Sequence, residues 1–290
     1  NFFQNIGEKN QNRFSESFII DDNQVPKFIL KKLINGEFKK IIITGMGTCY
    51  TAAAAIAIYM RNMLRDYYPN IEIEPHVASE GSAFYLQPNM NDTLVIVIAQ
   101  SGTTIDTNVY VQTAKERGAF SLAIANKREG DVTFLVDGTL YIGSGRDIEI
   151  AVPSTKTYTA QVILGYILTL YFCAKSKTKR KSIRKKLIDN INNLYKTPQI
   201  IKTALNSIND KDLIDALNNK VQNYNSWYVL HDNSPNSVCA MEIRIKFSEG
   251  CYHSLPFMHI NDINNFEISN SLLFYITNSK ISNVEKDIYH

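Results

Sequence analysis

No nucleoside-triphosphate loop of the form GxxxxGKS/T occurs in the chain, which removes the P-loop classes. The pair Gly45 and Gly47 lacks the third glycine of the dinucleotide fingerprint and gives little support to a dinucleotide. A cysteine framework is missing too. Cys49, Cys173, Cys239 and Cys251 are scattered without paired short spacing, so reduced intracellular thiols fit better than disulfides or a zinc site. No secretory leader is visible in the sequence, and no apolar stretch free of polar residues reaches the ~20 residues of a membrane span. A cytoplasmic protein without membrane contact is expected. Charge of one sign is scarce: 31 basic residues against 28 acidic leave a net +3, which makes no general case for nucleic acid. The chain opens on Asn1 rather than Met and stops at Tyr289-His290, and neither end is taken as natural.

What is present is globular. Of the 290 residues, 44% are hydrophobic and 20% charged, enough for one large domain or two ordinary ones. The organising stretch is NDTLVIVIAQSGTTIDTN, from Asn91 to Asn108. Leu94 to Ala99 are six apolar residues rich in β-branched types and read as a strand buried on both faces. The chain then turns through Gln100, Ser101, Gly102, Thr103 and Thr104 into a helical rhythm, with Ile105, Val109, Val111 and Ala114 on or near one stripe. Such a turn into a helix N-terminus can cradle an anion through free N–H groups, hydroxyls and the helix dipole. A plain Ser/Thr N-cap fits the same residues.

Other elements repeat this pattern. A helix is expected over Val25–Glu37, and strands at Lys39–Thr44, Ile71–Val77, Phe120–Asn126 and Thr139–Gly143. An Ala-rich helix follows Gly47 to about Asp66, and a long apolar helix runs from Pro153 to Ala174. Strands alternating with helices of ten or more residues imply βαβ units. The fold class is therefore α/β, a doubly wound parallel sheet sandwiched by helices, with ligands beyond the carboxyl ends of the strands. Residues 1–38 read as an arm and lead-in helix, 39–175 as the first domain and 176–225 as a helical connector. The connector opens with KSKTKRKSIRKK, eight basic residues with no aromatic between them, which suits a solvated surface better than a nucleic-acid patch. Residues 226–290 form a second unit. Strands at Ser226–Leu230 and Leu272–Thr277 and a helix at Val238–Gly250 are expected there, after a polar turn at 231–237. About 65 residues are fewer than a full copy of the first domain, so this unit is expected to be abbreviated or truncated.

Three turns could converge at one sheet edge. They supply Gly47, Thr48 and Cys49; Gln100, Ser101, Gly102, Thr103 and Thr104; and Val152, Ser154 and Lys156. Ser, Thr and backbone donors in that number suit one phosphate monoester. In the second unit Glu242, Lys246 and Glu249 recur at i, i+4 and i+7, on one helix face. A solvated ion pair explains them. So does chemistry: moving a proton between the two carbons of an α-hydroxy carbonyl needs a carboxylate and a cation for the enediolate. His253 and His259 follow, and a ring-opening proton shuttle is commonly His, although each alone is more often a structural residue.

The stretches GMGTCY, ASE (Ala78–Glu80), DTLVIVIAQSGTTIDT and, above all, EIAVPSTKTYTAQV (Glu149–Val162) resemble the sugar-isomerase (SIS) domain family, within it the isomerase half of the glucosamine-6-phosphate synthases. The resemblance covers roughly residues 39–175 and implies a flavodoxin-like sheet and a sugar phosphate held by the Ser/Thr turns, with Cys49, Gln100, Ser101, Thr104, Val152 and Ser154 lining the site. Cys49 replaces an expected Ser, and Ala99 the Ser before Gln100. AMEIRIKFSE is similar to the helix that opens the family's second SIS domain. By that match Glu242 contacts the sugar, Lys246 serves ring opening or the enediolate, and Glu249 is the isomerising base. The family's His-Gly-Pro motif is absent from the sequence, and neither His253 nor His259 falls at its spacing. No glutamine-hydrolysing domain is present in the sequence either. The resemblance implies an isomerase or deglycase acting on a hexose or amino-sugar 6-phosphate, without metal or other cofactor, as a homodimer; the alternative is a non-catalytic sugar-phosphate sensor.

Overall fold

The computed structural model describes residues 18–143, 154–178, 180–208, 211, 214–215, 218, 221, 223–266 and 268–278. The chain divides into two compact units, Asn1–Asn190 and Ile191–His290.

The first unit is built on β1 (Lys40–Gly45), β2 (Glu72–Val77), β3 (Thr93–Ala99), β4 (Phe120–Ala125) and β5 (Gly138–Tyr141). All pair in parallel, in the order β2-β1-β3-β4-β5. Every residue of β3 is buried, as an unbroken apolar run at the centre of a two-sided sheet requires. Around it lie α1 (Lys27–Ile34), α2 (Thr48–Leu64), α3 (Ala78–Glu80), α4 (Ile105–Glu116), α5 (Val132–Leu135) and α6 (Lys156–Lys175). A π-helical turn, Gly81–Tyr85, continues α3.

Small residues let these layers approach. Ala52, Ala53 and Ala57 of α2 are wholly buried, and a Cβ on Gly165 of α6 would stand 2.4 Å from Ile56. By length and composition α6 could cross a membrane, but 61% of its most apolar window is buried in the protein, as befits a core helix. The buried face of α4 is Thr107, Tyr110, Val111 and Ala114. Ile105 and Val109, expected on that stripe, are exposed, because the sheet meets the face one residue around, where Tyr110 fills the space beside Gly81.

Strand order reverses direction between β1 and β3, with β2 on one side and β3 to β5 on the other. Thr44 pairs with Val97, so the chain leaves both strands at one level and the turns after them flank the switch-point crevice.

Helix α7 runs from Lys181 to Ile208. In the second unit β6 (Ser226–His231) lies between β7 (Phe257–His259) and β8 (Ser271–Ile276), all parallel. Helix α8 spans Ser234–Cys251, and a 3₁₀ turn covers Ile260–Asn265. Helix α8 begins four residues earlier than its apolar rhythm predicts. Asn233 caps it by accepting a bond from the Asn236 N–H at 3.2 Å, and Pro235 sits in the first turn, the position where a missing N–H costs nothing.

Candidate active site

After β1, Gly47 adopts φ +54° and α2 begins at Thr48. A Cβ on Gly45 would come within 2.8 Å of the Cys49 carbonyl carbon. The strand end therefore has to be glycine for the first turn of α2 to fold over it. Thr48 and Cys49 are half-buried and Gly47 is exposed.

After β3, Ser101 Oγ accepts from the Thr103 N–H at 3.3 Å and from Thr103 Oγ1 at 3.1 Å. Gly102 has φ +74° and lies against Gly130, whose Cα would be 2.8 Å from an added Cβ. Its carbonyl accepts from Val132 N at 3.0 Å. Thr103 and Thr104 are exposed, Gln100 and Ser101 half-buried. Thr104 is the N-cap residue of α4, yet its side chain makes no cap hydrogen bond. The first turn of α4 thus lacks a side-chain cap and begins at two exposed threonines, which is compatible with an anion cradle.

At the start of α6, the Ser154 and Thr157 hydroxyls bond to each other. Thr155 is the N-cap residue, and Lys156 opens the helix exposed to solvent. Val152 lies outside the described residues. Gln161 donates from Nε2 to Cys49 Sγ at 3.6 Å, which ties this helix to the turn after β1. The first unit thus ties α6, the helix that Ser154 precedes, to the Cys49 turn through Gln161, and strand register sets Gln100–Thr104 beside Gly47–Cys49.

The second unit brings its charged trio together. On α8, Lys246 Nζ stands 3.0 Å from Glu242 Oε1 and 3.6 Å from Glu249 Oε2. The Glu242 side chain is 11% exposed, Lys246 21% and Glu249 34%. Lys246 lies between the two carboxylates, and Glu249 is the more exposed of them. His259 has both ring nitrogens engaged: Nδ1 accepts from Asn261 N at 3.2 Å and Nε2 donates to Asp232 O at 3.0 Å. The His253 ring lies on Trp227, with centroids 4.2 Å apart.

A protein-family model describing the SIS domain matches residues 37–171. Over that span the chain is a SIS domain. Curated relatives are similar over a longer stretch. The glutamine–fructose-6-phosphate aminotransferase (isomerizing) of Fusobacterium nucleatum is 32% identical over 195 residues, 67% of this chain and 30% of that protein. Its namesake in Caldanaerobacter subterraneus is 32% identical over 235 residues, 81% of this chain and 35% of that protein. The matches thus span about a third of the relatives' length. Among solved structures, the C-terminal domain of glucosamine-fructose-6-phosphate aminotransferase from Francisella tularensis superposes with TM-score 0.72 at 19% identity, covering 93% of this chain and 75% of that one. Glucosamine-6-phosphate deaminase from Thermotoga maritima superposes with TM-score 0.63 at 16% identity, covering 90% of this chain and 77% of that one. These likenesses show the fold.

Two features of the SIS domain were not anticipated from its sequence. Thr157 and Gln161, one turn apart on α6, are wholly buried against the cradle, although a Thr-rich helix start reads as solvent-facing. The other is a relay on β2. His76 Nε2 donates to Glu74 Oε2 at 3.2 Å, and its Nδ1 accepts from the Tyr110 hydroxyl at 2.7 Å. Burial pushes the His76 imidazole below its usual range, against the pull of Glu74. Burial also raises the Tyr110 hydroxyl well above its own. With Tyr50, Glu80 and Tyr85, this segment lines a recess of ≈ 360 Å³.

Proposed function

We propose that the chain acts on a hexose 6-phosphate or amino-sugar 6-phosphate as an aldose–ketose isomerase or deglycase. The turns at Ser101 and Ser154 of the first unit suit the phosphate; the second unit, taken by itself, carries a carboxylate–lysine–carboxylate trio suited to proton transfer. The reading is carried by Lys246 lying between Glu242 and Glu249. Glu249 takes the proton from carbon 2 of the open-chain aldose and returns it to carbon 1. Lys246 stabilises the enediolate between those steps, and Glu242 fixes Lys246 and contacts the sugar. By the family's habit the working form is a homodimer.

The test is exchange of the carbon-1 hydrogen of fructose 6-phosphate with solvent deuterium. Glu249→Gln is expected to slow it by about 10²-fold or more, whereas exchange at the parent rate would remove the base from the mechanism. The engaged ring nitrogens of His259 favour a second reading, a sugar-phosphate sensor without turnover. Fructose 6-phosphate raising the melting temperature, with no exchange or product over hours, would select it.

A further inference from the structure

The four thiols of this chain have different surroundings. Cys173 is 2% exposed, and burial pushes its thiol far up. Cys239 and Cys251 are exposed on α8. Cys49 is half-buried at the second residue of α2, beside the hydroxyl-bearing turns. The dipole and first-turn amides of a 17-residue helix favour a negative charge there. The Gln161 amide pointing at Sγ from 3.6 Å does the same.

Gln161 marks the same place by its own environment. Its side chain is wholly buried, and Oε1 has no hydrogen-bond partner among the described residues. Exchanging the amide oxygen and nitrogen only moves the unsatisfied end. Leaving a buried amide oxygen unbonded costs its full desolvation. Folding alone gives no reason for a buried amide here, whereas a cradle that receives a polar ligand does.

We propose that Cys49, aligned by Gln161, is a modification site inside the cradle: peroxides and soft electrophiles react with it, and a bound phosphate ester shields it. The shielding rests on the phosphate reading above; the reactivity does not. With a peroxide, the thiolate sulfur attacks one peroxide oxygen and the S–O bond forms as the O–O bond breaks. Sulfur is oxidised by two electrons to a sulfenic acid, and the departing hydroxide takes up a proton as water. The product puts an oxygen where the ester's own oxygens would lie. Gln161 is a positioning residue here, acting through Cys49.

The experiment is alkylation of the whole chain with iodoacetamide, in which the thiolate displaces iodide. Peptide mass spectrometry follows Cys49, Cys173 and Cys251 together, and the melting temperature is measured on the same samples. Cys49 is expected to label roughly tenfold faster than Cys251, and fructose 6-phosphate is expected to slow it. Gln161→Met is expected to bring Cys49 toward the Cys251 rate. Loss of fold in that variant would expose Cys173 and show as its labelling. In that case Gln161→Glu, which keeps a buried polar end but offers the sulfur no amide N–H, replaces it with the same expectation. Peroxide treatment should abolish the ligand-induced melting shift of the parent, while Cys49→Ser shows the same shift before and after treatment. Labelling of Cys49 no faster than Cys251, or unchanged by either Gln161 substitution, overturns the proposal. So does fructose 6-phosphate raising the melting temperature without slowing Cys49, a result that leaves the phosphate reading intact. If it does neither, the phosphate reading falls and the shielding with it.

Discussion

Gly45 is the residue on which the cradle turns. Its missing side chain leaves room for the Cys49 backbone, whose carbonyl carbon an added Cβ would meet at 2.8 Å, so Gly45→Ala must push back the first turn of α2. A cost of about 1–3 kcal/mol is expected, together with loss of the melting shift given by fructose 6-phosphate; unchanged denaturant midpoint and shift would show that the turn yields freely. His76 sets the pH response at the same scale. Its folded-state pKa is lowered by burial, so the unfolded chain takes up the proton first as pH falls through 6.5. Stability contributed above that pH is lost progressively below it. Glu74 acts in the same sense at lower pH: burial opposes its ionisation, but hydrogen bonds from Lys40 and His76 overcome that and hold its carboxyl below the usual range. Melting temperature should therefore fall from pH 7 to pH 5, and the fall should be smaller in His76→Gln.

Among the elements, α8 carries the trio of the proposed chemistry and depends on its cap. Asn233→Ala removes the bond to the Asn236 N–H and should cost about 1 kcal/mol, read as a lower denaturant midpoint for the second unit. Its start was readable in principle, since Asn233 and Pro235 are ordinary helix-opening signals. The apolar rhythm, which starts later, hid them. β7 was not readable: three residues, Phe257–His259, carry too little pattern to show alternation. By contrast, the first-unit strands fell within one or two residues of the stretches expected; for β1, β3 and β4 the reason is an apolar run buried almost throughout, which leaves few other options.

For the whole molecule, a ligand that binds only the folded chain stabilises it by mass action, about 2.7 kcal/mol at a hundred times its dissociation constant. Fructose 6-phosphate should raise the melting temperature in a concentration-dependent way. Hexose without phosphate should not, if the hydroxyl-bearing turns of the SIS domain grip the anion. Equal shifts from both sugars would count against phosphate recognition.

Hydrophobic period and turn chemistry determined, with no structure in hand, that the first unit is a parallel α/β layer with Ser- and Thr-bearing turns at its strand ends. They also set Glu242, Lys246 and Glu249 on one helix face, because both kinds of information are local in the chain. Which face of α4 is buried, that Gln161 lies beneath Cys49, and that His76 bridges Glu74 and Tyr110 were decided by tertiary packing alone. Those relations join residues as far apart as 112 positions, and polar side chains carry no mark of whether a neighbouring helix will cover them.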